Sequence, residues 1–490
     1  MTKFRIVLLC MVFFLSACRS EFEDFQNKAL KFAQDGQLDR NEYNQLVTLA
    51  KSARDDRFKR IFYTDQVFDQ AKMNAYLIKL FAAHNISISS LGFAASNSSA
   101  NTLASKFNIN VYLENSASVD GYVNGSTSFK DAIYSMLGDI SIGSFCDSLN
   151  LHYINNKIPF SKLNAGPDDI RNFIQTLNPA TFRQHGGDRS SSDMRSILSA
   201  VLNKTDSKNA SVLISDFVFS PGRGVNAHDY LVNESIGIKV EFADKLKNFD
   251  LSLEVLQLTS IFNGFYYDEN DKPTYIKCNR PYYIWIIGSQ AQIKSFIKSR
   301  IIDNIHGGYD HKLLVTPIAK SLTPAYKILY SGKIGSFRLE NGANGPVSDA
   351  EVSNQPRTRG QFAFNVAVDF SGSLQDPQYF SDTNNFEHNQ NYRLSAMPVT
   401  DTTDLSLTGF THQLRLMTTD LHKETISIAV KSRSPGWVDE ATSENDTGLA
   451  ANFSEQHKTF GFKYLISGVY NAFDQISGSS TINSLNITIK

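Results

Sequence analysis

The sequence predicts an α/β protein: a parallel sheet flanked by helices, preceded by a helical segment and followed by an antiparallel β-sandwich-like domain. Three observations carry this. Short apolar runs alternate with helically spaced apolar residues between about 107 and 305. Before them, residues 19 to about 100 repeat apolar side chains at helical spacing. Beyond about 310 the pattern turns to strict alternation between turn clusters.

In the helical segment, Ala29, Phe32 and Ala33 recur at helical spacing, and a second helix is expected over 43–53. Between them, residues 35–42 read Asp-Gly-Gln-Leu-Asp-Arg-Asn-Glu, similar to the second half of an EF-hand loop. Lys31 and Ala33 stand where the first half needs oxygen ligands, so calcium is not expected and a helix–turn–helix with Gly36 in the turn is. Residues 96–104 are rich in Ser, Asn and Ala without periodicity and read as a linker.

In the middle segment, strands are expected at 108–113, 151–154, 212–214, 251–258 and 282–287. Helices are expected around Phe129, Ile133, Met136 and Leu137, around Ile170, Phe173, Ile174 and Leu177, and around Met194, Ile197, Leu198, Val201 and Leu202. Further helices are expected over 236–246 and 290–298. In the last segment, 361–368, 411–416 and 425–430 alternate as strands, 460–473 mixes strand and helix signals, and 480–490 suits a closing strand.

At 490 residues, with 41% hydrophobic and 20% charged side chains, the chain can bury a sizeable core. A net charge of −1 and the lack of a basic stretch interleaved with aromatics argue against a nucleic-acid partner. No GxxxxGK[ST], GxSxG, HExxH or CxxC pattern occurs, and no acid–base or nucleophile–base pair can be assembled, so the chain is not expected to be an enzyme.

The first residues bear on location. Lys3 and Arg5 precede an apolar run over 6–15, too short to span a bilayer and of the shape of a secretory signal core. The run ends Leu15-Ser16-Ala17-Cys18, which resembles the bacterial lipobox. That resemblance implies cleavage after residue 17 and acylation (palmitate among the chains) of Cys18; an ordinary signal cleaved nearby is the alternative. Acyl chains hold a protein to a bilayer at about 0.8 kcal/mol per buried methylene, so the membrane is engaged through the lipid alone. Glu21, Glu23 and Asp24 resemble the acidic tract that sends Bacteroidota lipoproteins to the cell surface, which implies an outer-membrane location exposed at the surface; a solvated tether reads the same way. Cys146 and Cys278 are then left, as separate thiols or as one pair. The expected organisation is a signal at 1–17, a tether and helical region at 18–100, an α/β domain at 101–308 and a β-rich domain at 309–490.

Ligands of open parallel sheets bind beyond the carboxyl ends of the strands. There the sequence places Glu114-Asn115-Ser116-Ala117-Ser118, then Gly186-Gly187-Asp188-Arg189-Ser190-Ser191-Ser192-Asp193, then Ser215-Asp216. Together these resemble the metal-ion-dependent adhesion site of von Willebrand factor A domains: Asp-x-Ser-x-Ser after the first strand, a Thr or Ser later, and an Asp after the fourth strand. The resemblance covers about 107–305. It implies a Rossmann-type sheet and a cation, Mg2+ or else Ca2+ or Mn2+, held by Glu114, Ser116, Ser118, Ser192 (or Ser191) and Asp216. It also implies a protein ligand that supplies an acidic side chain to the metal. Glu114 departs from the family's Asp and pushes the carboxylate outward. Either the metal is held through water, or the site is degenerate and the chain is a structural subunit of an envelope assembly. His185 is expected to be a solvated loop residue, the pairs Tyr266-Tyr267 and Tyr282-Tyr283 to pack within strands, and Gly222-Arg223-Gly224 to form a turn.

Overall fold

The computed structural model describes residues 20–33, 38, 40–64, 67–84, 86, 106–189, 193–318, 321–400, 404 and 407–490. They fall into two compact units, Met1–Ser105 and Lys106–Lys490. Cys18, the Gly36 turn and the 96–104 linker lie outside the described residues.

The first unit is helical: α1 (Glu21–Phe32), α2 (Arg40–Ser52), α3 (Asp56–Phe62) and α4 (Gln70–Ala83). A two-residue antiparallel ladder, β1 (Tyr63–Thr64) with β2 (Val67–Phe68), joins α3 to α4. Ser20 caps α1 by accepting from the Glu23 amide at 3.2 Å. Glu21, Glu23 and Asp24 occupy the first turn, where the helix dipole favours negative charge. The acidic run is thus the start of a capped helix. Phe22, Phe25 and Ala29 share one face of α1 and bury it against Leu46, Phe58, Phe62 and Leu77. The rings of Phe22 and Phe58 meet edge-on, with centroids 5.0 Å apart.

The second unit opens with the α/β part. In order it runs β3 (Phe107–Glu114), α5 (Asp120–Val123), α6 (Ser128–Ile142), β4 (Cys146–Ile154), β5 (Phe160–Lys162), α7 (Pro167–Gln175), α8 (Pro179–His185), α9 (Met194–Lys204) and β6 (Asn209–Ser215). It continues with α10 (Ala227–Leu246), β7 (Leu251–Tyr267), β8 (Pro273–Ser289), α11 (Gln290–Ser299) and β9 (His311–Val315). The strands form one seven-stranded sheet in the order β5-β4-β3-β6-β8-β7-β9. β4, β3 and β6 are parallel, in the register Val111 with Leu151 and Val212.

The expectation of an all-parallel sheet needs correction. β5 runs antiparallel to β4, β8 to β6, and β9 to β7, so the sheet is mixed with a parallel centre. The cause is local. The strands expected at 251–258 and 282–287 are the bases of two 17-residue strands joined through residues 268–272. A turn this short returns the chain antiparallel and leaves no room for a crossover helix.

Helices cover both faces of the sheet. On one, Phe129 of α6 packs on Tyr282 with centroids 4.7 Å apart, and Phe296 of α11 packs on Phe107. On the other, Trp285 meets Phe242 of α10. Central strands such as β3 are consequently buried along nearly their whole length.

The β-rich part holds β10 (Ala325–Ile334), β11 (Ser336–Leu339), β12 (Val347–Glu351), β13 (Phe362–Asp369), β14 (Phe386–His388), β15 (Arg393–Pro398), β16 (His412–Thr418) and β17 (Glu424–Lys431). After these come α12 (Trp437–Glu440), β18 (Thr442–Ser443), β19 (Thr459–Phe460), α13 (Phe462–Ser477) and β20 (Thr481–Ile489). Two larger sheets result, β10-β13-β16-β15 and β11-β12-β20-β17-β14, antiparallel except where β12 meets β20, while β18 and β19 pair with each other in parallel. Alternate residues of both, among them Phe364, Val366, Leu414, Ile426, Ile428 and Ile487, share one apolar core.

Residues 437–477 leave this β core and return to the α/β sheet. Phe462 stacks on Tyr283 with centroids 4.1 Å apart, and Leu465, Ile466 and Val469 join the α/β core. One of the helices covering the sheet therefore comes from the far end of the chain. Cys146 and Cys278 are both free thiols, half-buried on different strands.

Candidate functional site at the switch point of the sheet

From β3 the chain moves to β4 on one side, then to β6 on the other, so the strand order reverses between β3 and β6. A crevice at the carboxyl ends is the normal consequence of such a reversal. Glu114 is the last residue of β3, and Asp216 directly follows β6. Register pairs Leu113 with Ile214, which sets Glu114 level with Ser215.

Four of the five expected metal residues meet there. The Ser215 hydroxyl donates to Glu114 Oε2 and accepts from the Phe217 amide at 2.8 Å, so its single proton is committed to the carboxylate. Ser116 Oγ and Ser118 Oγ lie 2.9 Å apart. Ser118 lies near enough to the Asp216 carboxylate to help lower its pKa. Glu114, Ser116 and Asp216 are buried, and Ser118 is half-buried. The fifth residue, Ser192, and its rival Ser191 lie outside the described residues. Asp193 beside them caps α9, accepting from the Ser196 amide at 3.0 Å.

Burial, reinforced by the charge of Glu114, pushes the Asp216 carboxyl up to about 7, against the pull of Arg280, the Val218 amide and Ser118. The donor set is all oxygen, with two carboxylates and two hydroxyls, which suits a hard divalent cation. Such a cation would reverse the lift on Asp216.

Sequence reasoning missed the scaffold around these residues. Arg189 binds the first loop to the third segment: its Nε donates to the Asn115 carbonyl at 2.6 Å, its Nη2 to the Ser116 carbonyl at 3.1 Å, and it pairs with Asp120. The Ala117 amide returns a bond to the Arg189 carbonyl at 3.0 Å. Burial lifts the Asp120 carboxyl above its usual range even though Arg189 and Arg183 pull it down. Asn155, just past β4, donates to the Asn115 side chain at 2.9 Å and to the Gly186 carbonyl at 3.1 Å. The sequence signal for Arg189 and Asn155 was position, each lying within two residues of the glycine pair or of a strand end, whereas Asp120, the first residue of α5, carried none.

Two neighbours complete the surroundings. The β7–β8 arm leans on α5, where Gly264 and Gly121 approach so closely that a Cβ on Gly264 would lie 2.8 Å from the Gly121 Cα. Arg280 on β8 is buried, stacks over Tyr266 at 4.3 Å, and donates to the carbonyls of Gln456 and Lys458 at 3.1 and 3.2 Å. It is the buried cation nearest in influence to Asp216, and it ties the site to the returning C-terminal segment.

The lesser candidates resolve simply. His185 is half-buried against the rings of Tyr153 and Phe160, and burial lowers its pKa; the solvated loop reading does not hold, because α8 ends by packing on that aromatic cluster. Tyr266, Tyr282 and Tyr283 are buried within strands, as expected. Gly222 to Gly224 form a turn, also as expected.

Comparisons with protein-family models, with curated proteins and with solved structures gave no match. Among the described residues no helix is long and apolar enough to cross a membrane, and no group of three or more His, Cys, Asp and Glu side chains gathers as a metal site.

Proposed function

We propose that this chain is a lipid-anchored protein of the bacterial envelope, and that its von Willebrand A-like domain binds a protein partner through a divalent cation at the switch point. One observation supports this above the others. Loops from distant parts of the sequence carry Glu114, Ser116, Ser118 and Asp216 to one point between the two strands where the order of the sheet reverses. Hydroxyls and few direct carboxylates would leave a bound cation electron-poor and ready to accept an acidic side chain from a partner. The reading assigns a binding role and no catalytic step.

Titration calorimetry of the purified chain with Mg2+, Ca2+ and Mn2+ tests it. The expected result is one ion per chain, abolished in Asp216→Ala. The affinity should fall as pH drops below about 7, because a cation must displace the proton that burial and Glu114 hold on Asp216. In the absence of metal the sign for stability is opposite to that of an ordinary carboxylate. A raised folded-state pKa favours the protonated form, so stability is greatest below the unfolded value near 4 and declines as pH rises through about 7. Asp216→Asn should then be more stable than the parent at pH 8 in chelator. No saturable binding of any of the three ions at millimolar concentration removes the proposal.

The second reading is a structural subunit of an envelope assembly with a degenerate site. The bond that buried Glu114 accepts from Ser215 favours it, since it satisfies one carboxylate oxygen without metal. It expects a calorimetric blank together with stable co-purification of envelope neighbours. Anchoring is tested apart from either reading. Palmitate-analogue labelling and membrane retention in a bacterial host should both vanish in Cys18→Ala; labelling that persists there places the lipid elsewhere, and a parent chain that takes no label removes the anchor.

A further inference from the structure

Away from the switch point, a cavity of about 420 Å³ opens between the far edge of the α/β sheet and the β-rich part. Its floor is the face of β7 and β9 that carries Glu254, Lys312 and Leu314, and Ile302 closes one side. Its roof is the chain after β13, with Phe370, Leu374 and Asp376. The roof is clipped to the sheet: Gln375 donates to the Leu314 carbonyl at 2.7 Å, and Asp376 faces Lys312 at 3.9 Å. The size falls within the roughly 300–1,000 Å³ usual for small-molecule sites.

We propose that this cavity binds an organic ammonium ion with a short apolar body, its head on Glu254 and its body against Leu314, Phe370 and Leu374.

Glu254 is the reason. It is 2% exposed and lines the cavity, and its Oε2 is buried with no hydrogen-bond partner. A buried acceptor left without a donor costs free energy, so a ligand that supplies one is favoured there. The charge of the lining points the same way. Glu254, Asp303 at the exposed rim and Asp376 are three acids against the single ammonium of Lys312, which already faces Asp376. Burial holds the Glu254 carboxyl at about 7, with Lys312 pulling it down and Asp376 and Asp303 pushing it up. An incoming cation relieves that repulsion, whereas an anion adds to it. A metal ion is the poorer occupant, because these acids do not gather closely enough to share one centre. The apolar walls need a hydrocarbon body to fill them.

The probe is phenethylammonium, titrated calorimetrically into the full chain. 2-Phenylethanol and phenylacetate carry the same ring with a neutral and a negative head. The expected result is saturable one-to-one binding of the ammonium, about tenfold or more weaker binding of the alcohol, and none of phenylacetate. Glu254→Gln should weaken the ammonium by about tenfold or more while leaving the alcohol unchanged. Leu374→Trp fills the space without touching the charges and should block both, with its unfolding transition retained. A doubly capped lysine dipeptide binding as tightly as phenethylammonium upholds the proposal and identifies a protein side chain as the source of the cation. The idea fails if alcohol and ammonium bind alike, if Glu254→Gln binds undiminished, if Ca2+ competes with the amine, or if no probe saturates.

Discussion

Arg280→Ala should destabilise the second unit by about 3–5 kcal/mol at pH 8, the usual cost of stripping one partner from a buried charged network. The guanidinium is buried, stacks on Tyr266 and covers the carbonyls of Gln456 and Lys458. Its loss orphans two acceptors and leaves Asp216 without its buried counter-charge. Arg280→Lys should recover little, because an ammonium can neither stack flat on the ring nor reach both carbonyls in a fork. The pH dependence separates the two contributions. Below about 7 Asp216 is protonated and has no charge for Arg280 to balance, so the deficit should shrink towards the hydrogen-bond part as pH falls from 8 to 5. Urea denaturation of the parent and both variants at the two pH values measures this. A deficit that is small, or independent of pH, would mean that Arg280 does not serve the Asp216 carboxylate.

What the sequence made legible follows from which interactions are local. The apolar runs at 108–113 and 212–214 are buried on both faces, and hydrophobic continuity marks such strands without knowledge of their neighbours. Helices such as α6 and α9 announce themselves through one apolar stripe each. The convergence of Glu114, Ser116, Ser118 and Asp216 was legible because a place at or just past a strand end is itself local. Direction was not legible. Nothing in 251–258 or 282–287 tells a parallel strand from one arm of a hairpin, since both are apolar and buried; the information sits in the short turn at 268–272 and in the partner chosen. Arg189, Asn155 and Arg280 were missed for a related reason. Each acts on backbone groups far away in sequence, and an arginine on a strand carries no mark of the carbonyls it will meet.

The same reasoning explains why the return of α13 was unreadable and why it should be fragile. Residues 460–473 mix strand and helix signals, and the surface the helix covers lies on α10, more than two hundred residues earlier. Gly468 stands at that crossing. A Cβ there would lie 2.5 Å from the Ser235 carbonyl oxygen and 3.1 Å from the Ile238 side chain, so the two helices touch backbone to backbone. Gly468→Val must push α13 outward or bend it, which opens the contact of Phe462 with Tyr283 and the packing of Leu465 and Val469. Overpacking of this kind costs about 1–3 kcal/mol, and the carbonyl in the path places this case at the upper end, about 3 kcal/mol. Gly138→Ala on α6 is the matched comparison. A Cβ there meets nothing within 4 Å, so the change should stabilise by about 0.5–1 kcal/mol through helix propensity alone. Denaturation midpoints of the two variants should therefore move in opposite directions. If Gly468→Val is as harmless as Gly138→Ala, α13 does not pack on α10, and the α/β sheet is complete without the end of the chain.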